Sequence, residues 1–128
     1  MKTVTLFRPV NGVELCLIEE SGWKSFPPRL AWQPIFYPVC NKEYAQQISE
    51  WNQKEFGSGF VVEFDILEEY LSKYEKKVVG SSLHEEYWIP AEELRDFNAA
   101  IVGKIRVSEC KLSTPNNLWK KLLSRVCF

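Results

Sequence analysis

Apolar and polar residues alternate along several stretches of this chain in the way that is typical of β-strands. In the clearest stretch, which follows a Gly-Ser-Gly turn at residues 57–59, apolar residues fill every second position from Phe60 to Ile66. A run rich in β-branched residues from Thr3 to Arg8 predicts the first strand. Further strands are predicted at residues 35–39, 76–79, 84–90 and 101–107.

Helical spacing of apolar residues predicts two helices between these strands. Asn11 is a favourable N-cap for the first helix, which has Glu14 at its third position and Gly22 at its end. Asn41 is the corresponding cap of the second helix. The predicted buried faces consist of Val13, Cys16 and Leu17 in the first helix, and of Tyr44, Ala45, Ile48 and Trp51 in the second.

Short helical segments are predicted at residues 68–74 and 90–97, and Thr114-Pro115 is a favourable start for a last, amphipathic helix. The apolar face of this last helix consists of Trp119, Leu122, Leu123 and Val126. These helices are too few and too short for a regular doubly wound sheet. We therefore predict a small single domain of the α+β class, with a bent or split, mainly antiparallel sheet, two to four short helices and a C-terminal amphipathic helix. Residues 1–107 are the predicted core domain, and residues 108–128 are an extension that ends in this helix.

Composition and charge restrict the partners. The 128 residues, 45% hydrophobic and 26% charged, suffice for one globular core. The net charge is −1, and three basic residues without any acidic one lie beyond residue 112, which leaves −4 on the body and +3 on the tail. Without a basic stripe we expect no nucleic-acid partner. No run of about 18 apolar residues is present, so we expect no membrane span, and three basic charges are too few for stable anchoring at a membrane surface.

Cysteine and histidine usage argues against a metal site. The four cysteines form no CxxC pair, and the chain contains a single histidine. A chain of this size does not depend on disulfides and begins without the pattern of a signal peptide, so we predict reduced thiols in a cytoplasmic protein. The common motifs of dinucleotide-binding loops, phosphate-binding loops and hydrolases are absent.

The strand predicted at residues 84–90 is the first candidate for a functional site. Side chains two positions apart in a strand point to the same side, so His84, Glu86 and Trp88 are predicted to share one face. An aromatic ring beside an ionisable pair is a plausible ligand-facing surface. In the alternative interpretation, Trp88 belongs to the core, and His84 and Glu85 are solvated loop residues.

Arg8 is a second candidate, at the end of the first predicted strand. Its guanidinium can bind an anionic ligand, or it can form a structural ion pair with one of the many carboxylates. The proline-rich segment at residues 25–34 is suited to a lid or a peptide-docking loop, and equally to wrapping the core. The chain has five Trp, five Tyr and eight Phe, more aromatic area than such a core needs, which favours an exposed binding surface.

Six segments occur together in an order and at spacings that match a known family. They are LFRPV, SGWKSFPPRLAWQPIFYPV, N-x-EYA, GFVVEF, VVG…HEEYWIPAEEL and FN…IVGKI. With these segments, residues 1–107 resemble a family of small bacterial proteins labelled ADP-ribosylation/crystallin J. The resemblance implies a distant similarity to ADP-ribosyltransferase-like folds, which are small α+β domains with a split sheet.

This resemblance implies a domain that binds NAD or an ADP-ribosyl group, with or without catalytic activity. It makes Glu86 the catalytic carboxylate, which would stabilise an oxocarbenium-like centre as nicotinamide leaves. It makes Arg8 the anion clamp and Tyr37 a stacking ring. The candidate cofactor-binding residues are therefore Arg8, Tyr37, Tyr44, His84 and Trp88, and no metal is expected.

The absence of a strong catalytic motif keeps a second interpretation open. In it, the chain is a non-catalytic cytoplasmic domain for protein interaction or regulation, of the immunity type. The sequence does not decide whether the chain is an enzyme, and it does not give the oligomeric state.

Overall fold

A computed structural model describes residues 2–80 and 84–112 of the chain. These residues form seven β-strands and four α-helices, and the predicted α+β class is confirmed. The strands are β1 (Thr3–Val10), β2 (Ile35–Phe36), β3 (Ser58–Leu67), β4 (Lys76–Val78), β5 (Glu85–Tyr87), β6 (Ile89–Pro90) and β7 (Ile101–Leu112). The helices are α1 (Gly12–Glu20), α2 (Lys42–Phe56), α3 (Glu68–Leu71) and α4 (Leu94–Ala99), and a 3₁₀ turn at Ala91–Glu93 precedes α4.

The strands pair in an antiparallel manner throughout the described residues. β3 is the central strand of a three-stranded sheet with the order β1-β3-β7. β4 pairs with β5, and β2 pairs with β6. The pairing of β3 with β7 has two register shifts, at Val61/Val62 and at Glu63/Asp65, and irregularities of this kind generally increase the local twist of a sheet. A bent or split, mainly antiparallel sheet was predicted, and the structure confirms a split, antiparallel arrangement.

Val39 joins the three-stranded sheet to the hairpin of β4 and β5. Its backbone exchanges hydrogen bonds of 2.8 and 2.9 Å with Phe7, and it forms bridges to both Phe7 and Glu86. The strand predicted at residues 35–39 is therefore shorter than expected, because β2 ends at Phe36 and pairing resumes only at Val39. Pro38 lies between them, and a proline has no N–H to donate to a strand ladder.

The two faces of β3 pack against different helices. The side chains of Phe60, Phe64 and the other alternate apolar residues belong to the main core, which also holds the buried residues of α1 and α4. Val61 points the other way and packs with Val39 and with Ala45 of α2. α1 and α2 thus cover opposite faces of the sheet, and this separation positions the polar residues described below.

Both long helices begin at the predicted caps. The side chain of Asn11 accepts a hydrogen bond of 2.8 Å from the backbone N–H of Glu14, and Asn41 accepts one of 2.8 Å from that of Tyr44. α2 ends at Gly57, which has a left-handed φ of 84°. Glycine adopts this conformation without the steric cost of a Cβ.

The predicted buried face of α1 is wrong at two of three positions. Val13 and Leu17 are 61% and 42% exposed. The residues that α1 buries are Leu15, Cys16 and Ile18. Apolar residues occupy both sides of this short helix, so spacing alone does not identify the side that packs.

The predicted buried face of α2 is wrong at Trp51, which is 56% exposed. Over residues 42–54 of this helix, the fully buried positions are Ala45 and Ser49, each 0% exposed. A Cβ added at Gly59 of β3 would lie only 2.2 Å from the carbonyl oxygen of Ser49. The helix and the strand therefore approach each other too closely for a large side chain between them.

The thiol prediction is confirmed for Cys40 and Cys110, which are free, and is wrong for Cys16, which is disulfide-bonded. Sequence spacing does not report which cysteines meet in a fold. β7 runs past the predicted strand end at Val107 as far as Leu112. The predicted C-terminal amphipathic helix lies outside the described residues. Within those residues, no helix has the length and apolarity needed to span a membrane.

Candidate functional site

An open pocket of about 350 Å³ lies where β1, the segment around Val39, α2 and β5 meet. Its lining consists of Arg8, Pro9, Tyr37, Val39, Tyr44, Ile48 and Glu86. Four residues predicted from the sequence as site residues are therefore brought to one pocket. The remaining two, His84 and Trp88, contact members of this set directly.

Glu86 is the buried acidic group of this pocket, with 7% of its surface exposed. Its Oε1 accepts a hydrogen bond of 2.7 Å from the hydroxyl of Tyr44, and its Oε2 accepts one of 2.7 Å from Nε1 of Trp88. Both donors are neutral. The ion pairs that form within residues 2–80 and 84–112 do not include Glu86. Burial of a carboxylate whose partners are only neutral donors is costly to the fold.

Tyr44 connects this carboxylate to His84. The two rings stack with centroids 4.4 Å apart and planes inclined by 16°. Burial, followed by the hydrogen bond to Glu86, raises the pKa of Tyr44 to about 12, so its hydroxyl keeps the proton that it donates at neutral pH. The ring nitrogens of His84 contact the carbonyl oxygen of Val79 at 3.1 Å and Oε1 of Gln47 at 3.0 Å. His84 therefore joins the start of β5 to α2 beside the pocket.

Trp88 and Tyr37 form an aromatic rim at the pocket. Their ring centroids are 6.1 Å apart in an edge-on arrangement, and the side chains are 45% and 39% exposed. The interpretation of Trp88 as a core residue is thus wrong, because Ile89 takes the buried position beside it. Two exposed rings next to a buried carboxylate offer stacking surfaces to a flat or cationic ligand.

Arg8 has the structural role that was one of its two predicted alternatives. Its Nε and Nη2 donate to the two carboxylate oxygens of Glu14 at 2.6 and 3.0 Å. Its guanidinium carbon lies 4.4 Å from the centre of the Phe36 ring. Nη1 makes a longer contact of 3.4 Å with the carbonyl oxygen of Tyr37. The fork that would grip a ligand anion is therefore occupied by Glu14, although Arg8 contributes to the pocket wall.

Strand alternation directs the side chains of Arg8 and Glu86 to opposite faces, although both residues line the pocket. Phe7, Val39 and Glu86 are bridged partners, and directly opposed residues of neighbouring strands point to the same side. Phe7 packs in the cluster beside α2, and Glu86 bonds to that helix. Arg8 follows Phe7, points to the opposite face and pairs there with α1. An anion clamp by Arg8 next to Glu86 is not supported by this placement.

Lys77 and Glu14 are two residues of this region that sequence reasoning missed. Lys77 lies directly opposite Glu86 in the pairing of β4 and β5, and its Nζ is 5.6 Å from the centre of the Trp88 ring. Strands were predicted at the positions of both β4 and β5, so pairing the two as a hairpin could have placed Lys77 near Glu86. Glu14 was identified only as a helix-start residue, because its partner Arg8 is known only once α1 is packed on the sheet.

Comparison with known proteins returned no matching family model, no matching curated protein and no matching solved structure. The chemistry of the pocket therefore rests on its own residues. In the described ranges, no three His, Cys, Asp or Glu side chains are grouped in a way that could hold a metal ion. The chemical groups that the pocket offers to a ligand are the buried carboxyl group of Glu86 and the adjoining aromatic rings.

Proposed function

We propose that this domain binds NAD, with the nicotinamide riboside end in the pocket beside Glu86, as an ADP-ribosyltransferase-like domain. The observation that carries the proposal is the buried carboxylate of Glu86, whose two oxygens are held by neutral donors in an open pocket. Such a carboxylate is stabilised when a ligand brings positive charge to it. The oxidised nicotinamide ring is a flat, positively charged aromatic group on a ribose.

The size of the pocket supports binding of one end of the dinucleotide. Its volume of about 350 Å³ lies at the lower end of the range of about 300 to 1,000 Å³ that is usual for ligand sites. This volume is sufficient for the nicotinamide and its ribose, and the remaining part of NAD would then extend out of the pocket across the rim. Tyr37 and Trp88, at this rim, supply rings on which nicotinamide can stack.

Three side chains of the site position Glu86, and Trp88 does so in addition to offering a ring for stacking. Tyr44 and Trp88 fix the orientation of its carboxylate, and His84 supports Tyr44 by stacking; these are positioning roles. Arg8 contributes to folding through Glu14. A carboxylate facing the ribose carbon that bears nicotinamide can also stabilise the positive charge that develops there as the bond to nicotinamide breaks. With water as the acceptor, the products are ADP-ribose, nicotinamide and a proton, so we expect slow NAD hydrolysis to accompany binding.

Calorimetric titration with NAD and with ADP-ribose tests the proposal. ADP-ribose lacks the cationic ring, so we expect wild type to bind NAD more tightly, by roughly 10- to 100-fold for one charged contact. Glu86→Gln is expected to remove this difference. Glu85→Gln is the matched control, because Glu85 is the adjacent carboxylate and pairs with Lys76 instead.

The results that overturn the proposal are equally specific. Absence of NAD binding by the folded wild type would end it. An equal loss of affinity in Glu86→Gln and Glu85→Gln would mean that the general charge of β5, and not the pocket, attracts the ligand. Tyr44→Phe provides a second check, since it leaves the charge of Glu86 in place and releases one oxygen; we expect an intermediate loss.

An exposed apolar surface favours the protein-interaction function as a second candidate. Val13, Leu17 and Leu30 line a smaller pocket of about 160 Å³ between α1 and the proline-rich segment, and they are 61%, 42% and 53% exposed. Trp32, in the same segment, is 75% exposed. This function predicts that NAD leaves the melting temperature unchanged, whereas Leu17→Glu abolishes binding of a protein that co-purifies with wild type.

A further inference from the structure

We propose that Lys77 is the residue that binds a phosphate of the ligand, and that it thereby sets the selectivity of the pocket for a nucleotide over a nucleoside. This inference rests on the proposed function, since it concerns the same ligand. NAD carries a diphosphate next to the nicotinamide ribose, and a lysine or arginine side chain is a common partner of such a group. The guanidinium fork of Arg8 is occupied by Glu14 on the opposite face of the sheet.

The pairing of β4 with β5 places Lys77 beside the pocket. Lys77 and Glu86 are directly opposed, so their side chains leave the hairpin on the same side. The ammonium of Lys77 is 5.6 Å from the centre of the Trp88 ring, and Nε1 of that ring bonds to Glu86. Trp88 thus contacts both the buried carboxylate and the lysine.

The lysine is available for an anion. Its ammonium pairs with Glu75 at 3.2 Å, but Glu75 is 81% exposed and Lys77 is 39% exposed. Ion pairs at exposed positions contribute little to stability, so a ligand phosphate can replace Glu75 at small cost. A ligand with its cationic ring at Glu86 and its backbone crossing the Trp88 rim would bring its first phosphate towards this ammonium.

Lys76 provides a control for the loss of one positive charge from β4. It is the neighbour of Lys77, is opposed to Tyr87 and pairs with Glu85 at 3.6 Å. Alternation along β4 directs its side chain to the other side of the hairpin. Lys76→Gln and Lys77→Gln therefore make the same change in net charge one residue apart, on opposite sides.

The experiment is calorimetric titration of wild type, Lys77→Gln and Lys76→Gln with NAD, nicotinamide mononucleotide and nicotinamide riboside. The riboside has no phosphate, so we expect Lys77→Gln to leave its affinity unchanged and to weaken binding of the two phosphorylated ligands by roughly 5- to 10-fold. Lys76→Gln is expected to leave all three affinities within about twofold of wild type, as for other exposed charges. Raising the salt concentration should lower the affinity of wild type for the two phosphorylated ligands towards that of Lys77→Gln.

The outcomes separate this inference from the function on which it rests. If wild type binds the riboside and NAD equally, or if both lysine variants lose the same affinity, the role of Lys77 is refuted while the pocket stands. If Lys77→Gln weakens the riboside as much as the nucleotides, the lysine acts by shaping Trp88 and not by holding phosphate. If folded wild type binds none of the three ligands, the proposed function itself is refuted, and the role of Lys77 with it.

Discussion

Glu14→Gln removes the negative charge that Arg8 depends on, and we expect it to destabilise the fold strongly. The side chains of Arg8 and Glu14 are only 9% and 17% exposed, and their closest atoms are 2.6 Å apart. Removing one partner of a buried ion pair typically costs about 3 to 5 kcal/mol, because the other charge is left buried without compensation. Gln can still accept one hydrogen bond, and Glu14 has some access to water, so we expect about 2 to 3 kcal/mol here.

Arg29 increases the expected effect. It lies 5.9 Å from the centre of the Phe36 ring, which Arg8 also covers at 4.4 Å. Burial, and then the charge of Arg8, lower the pKa of Arg29, whereas Glu14 opposes this effect. Without Glu14, both guanidinium groups would lie at the Phe36 ring, and its carboxylate would no longer offset the repulsion between them.

Urea unfolding followed by tryptophan fluorescence measures the effect. With a urea m-value of about 1 to 3 kcal/mol/M, the midpoint should fall by roughly 1 to 2 M. Glu75→Gln, which breaks an exposed ion pair with Lys77, is the matched control and should change stability by less than about 0.5 kcal/mol. In a cycle with Arg8→Met, the coupling between the two positions should exceed about 1 kcal/mol.

The same substitution at Glu86 provides the contrast that tests the reasoning. A Gln at this position can accept from Nε1 of Trp88 and donate to the oxygen of Tyr44, so the bonds remain while the uncompensated charge disappears. We expect Glu86→Gln to leave stability unchanged or to raise it by about 1 kcal/mol. If Glu14→Gln and Glu86→Gln destabilise the protein equally, our distinction between a paired and an unpaired buried carboxylate is refuted.

Three further changes test the packing, the capping and the pH dependence. Gly59→Ala places a Cβ 2.2 Å from the carbonyl oxygen of Ser49, and the resulting separation of α2 from β3 should cost about 3 kcal/mol or more in urea unfolding. Asn41→Ala removes the cap of α2 and should cost about 1 kcal/mol, measured as a lower melting temperature. The hydrogen bond from Thr5 holds the pKa of Asp65 below its ordinary value. Ionised Asp65 therefore contributes fully to stability above about pH 4, and this contribution is lost as the pH falls through the lowered pKa. In Asp65→Asn, the urea midpoint should depend less on pH in this acidic range.

The strands were more predictable from the sequence than the helix faces. β3 alternates cleanly because one of its faces fills the main core and the other meets α2 only in part. α1 offers apolar residues on two sides, so the exposure of Val13 and Leu17 follows from packing that spacing does not encode. In α2, Ser49 is buried in preference to Trp51 because Gly59 admits only a small neighbour.

The members of the site were predictable where strand periodicity relates them. Glu86 and Trp88 are two positions apart in sequence and are joined by a hydrogen bond. Tyr44 reaches them because a capped helix follows directly after the bridge at Val39. The partner of Arg8 was not predictable, since alternation fixes which face a side chain takes but not which helix covers that face.

Half-buried Glu14 and buried Glu86 differ in the charge of their hydrogen-bond partners. Glu14 has an arginine at hydrogen-bond distance, so its charge is accounted for by the fold. The hydrogen-bond partners of Glu86 are Tyr44 and Trp88, which are neutral donors, and within residues 2–80 and 84–112 no cation forms an ion pair with its carboxylate. A carboxylate of this kind gains a favourable interaction when a ligand brings positive charge to it. The balance of charge at each carboxylate, more than its burial, therefore identifies Glu86 as the residue around which a ligand should be sought.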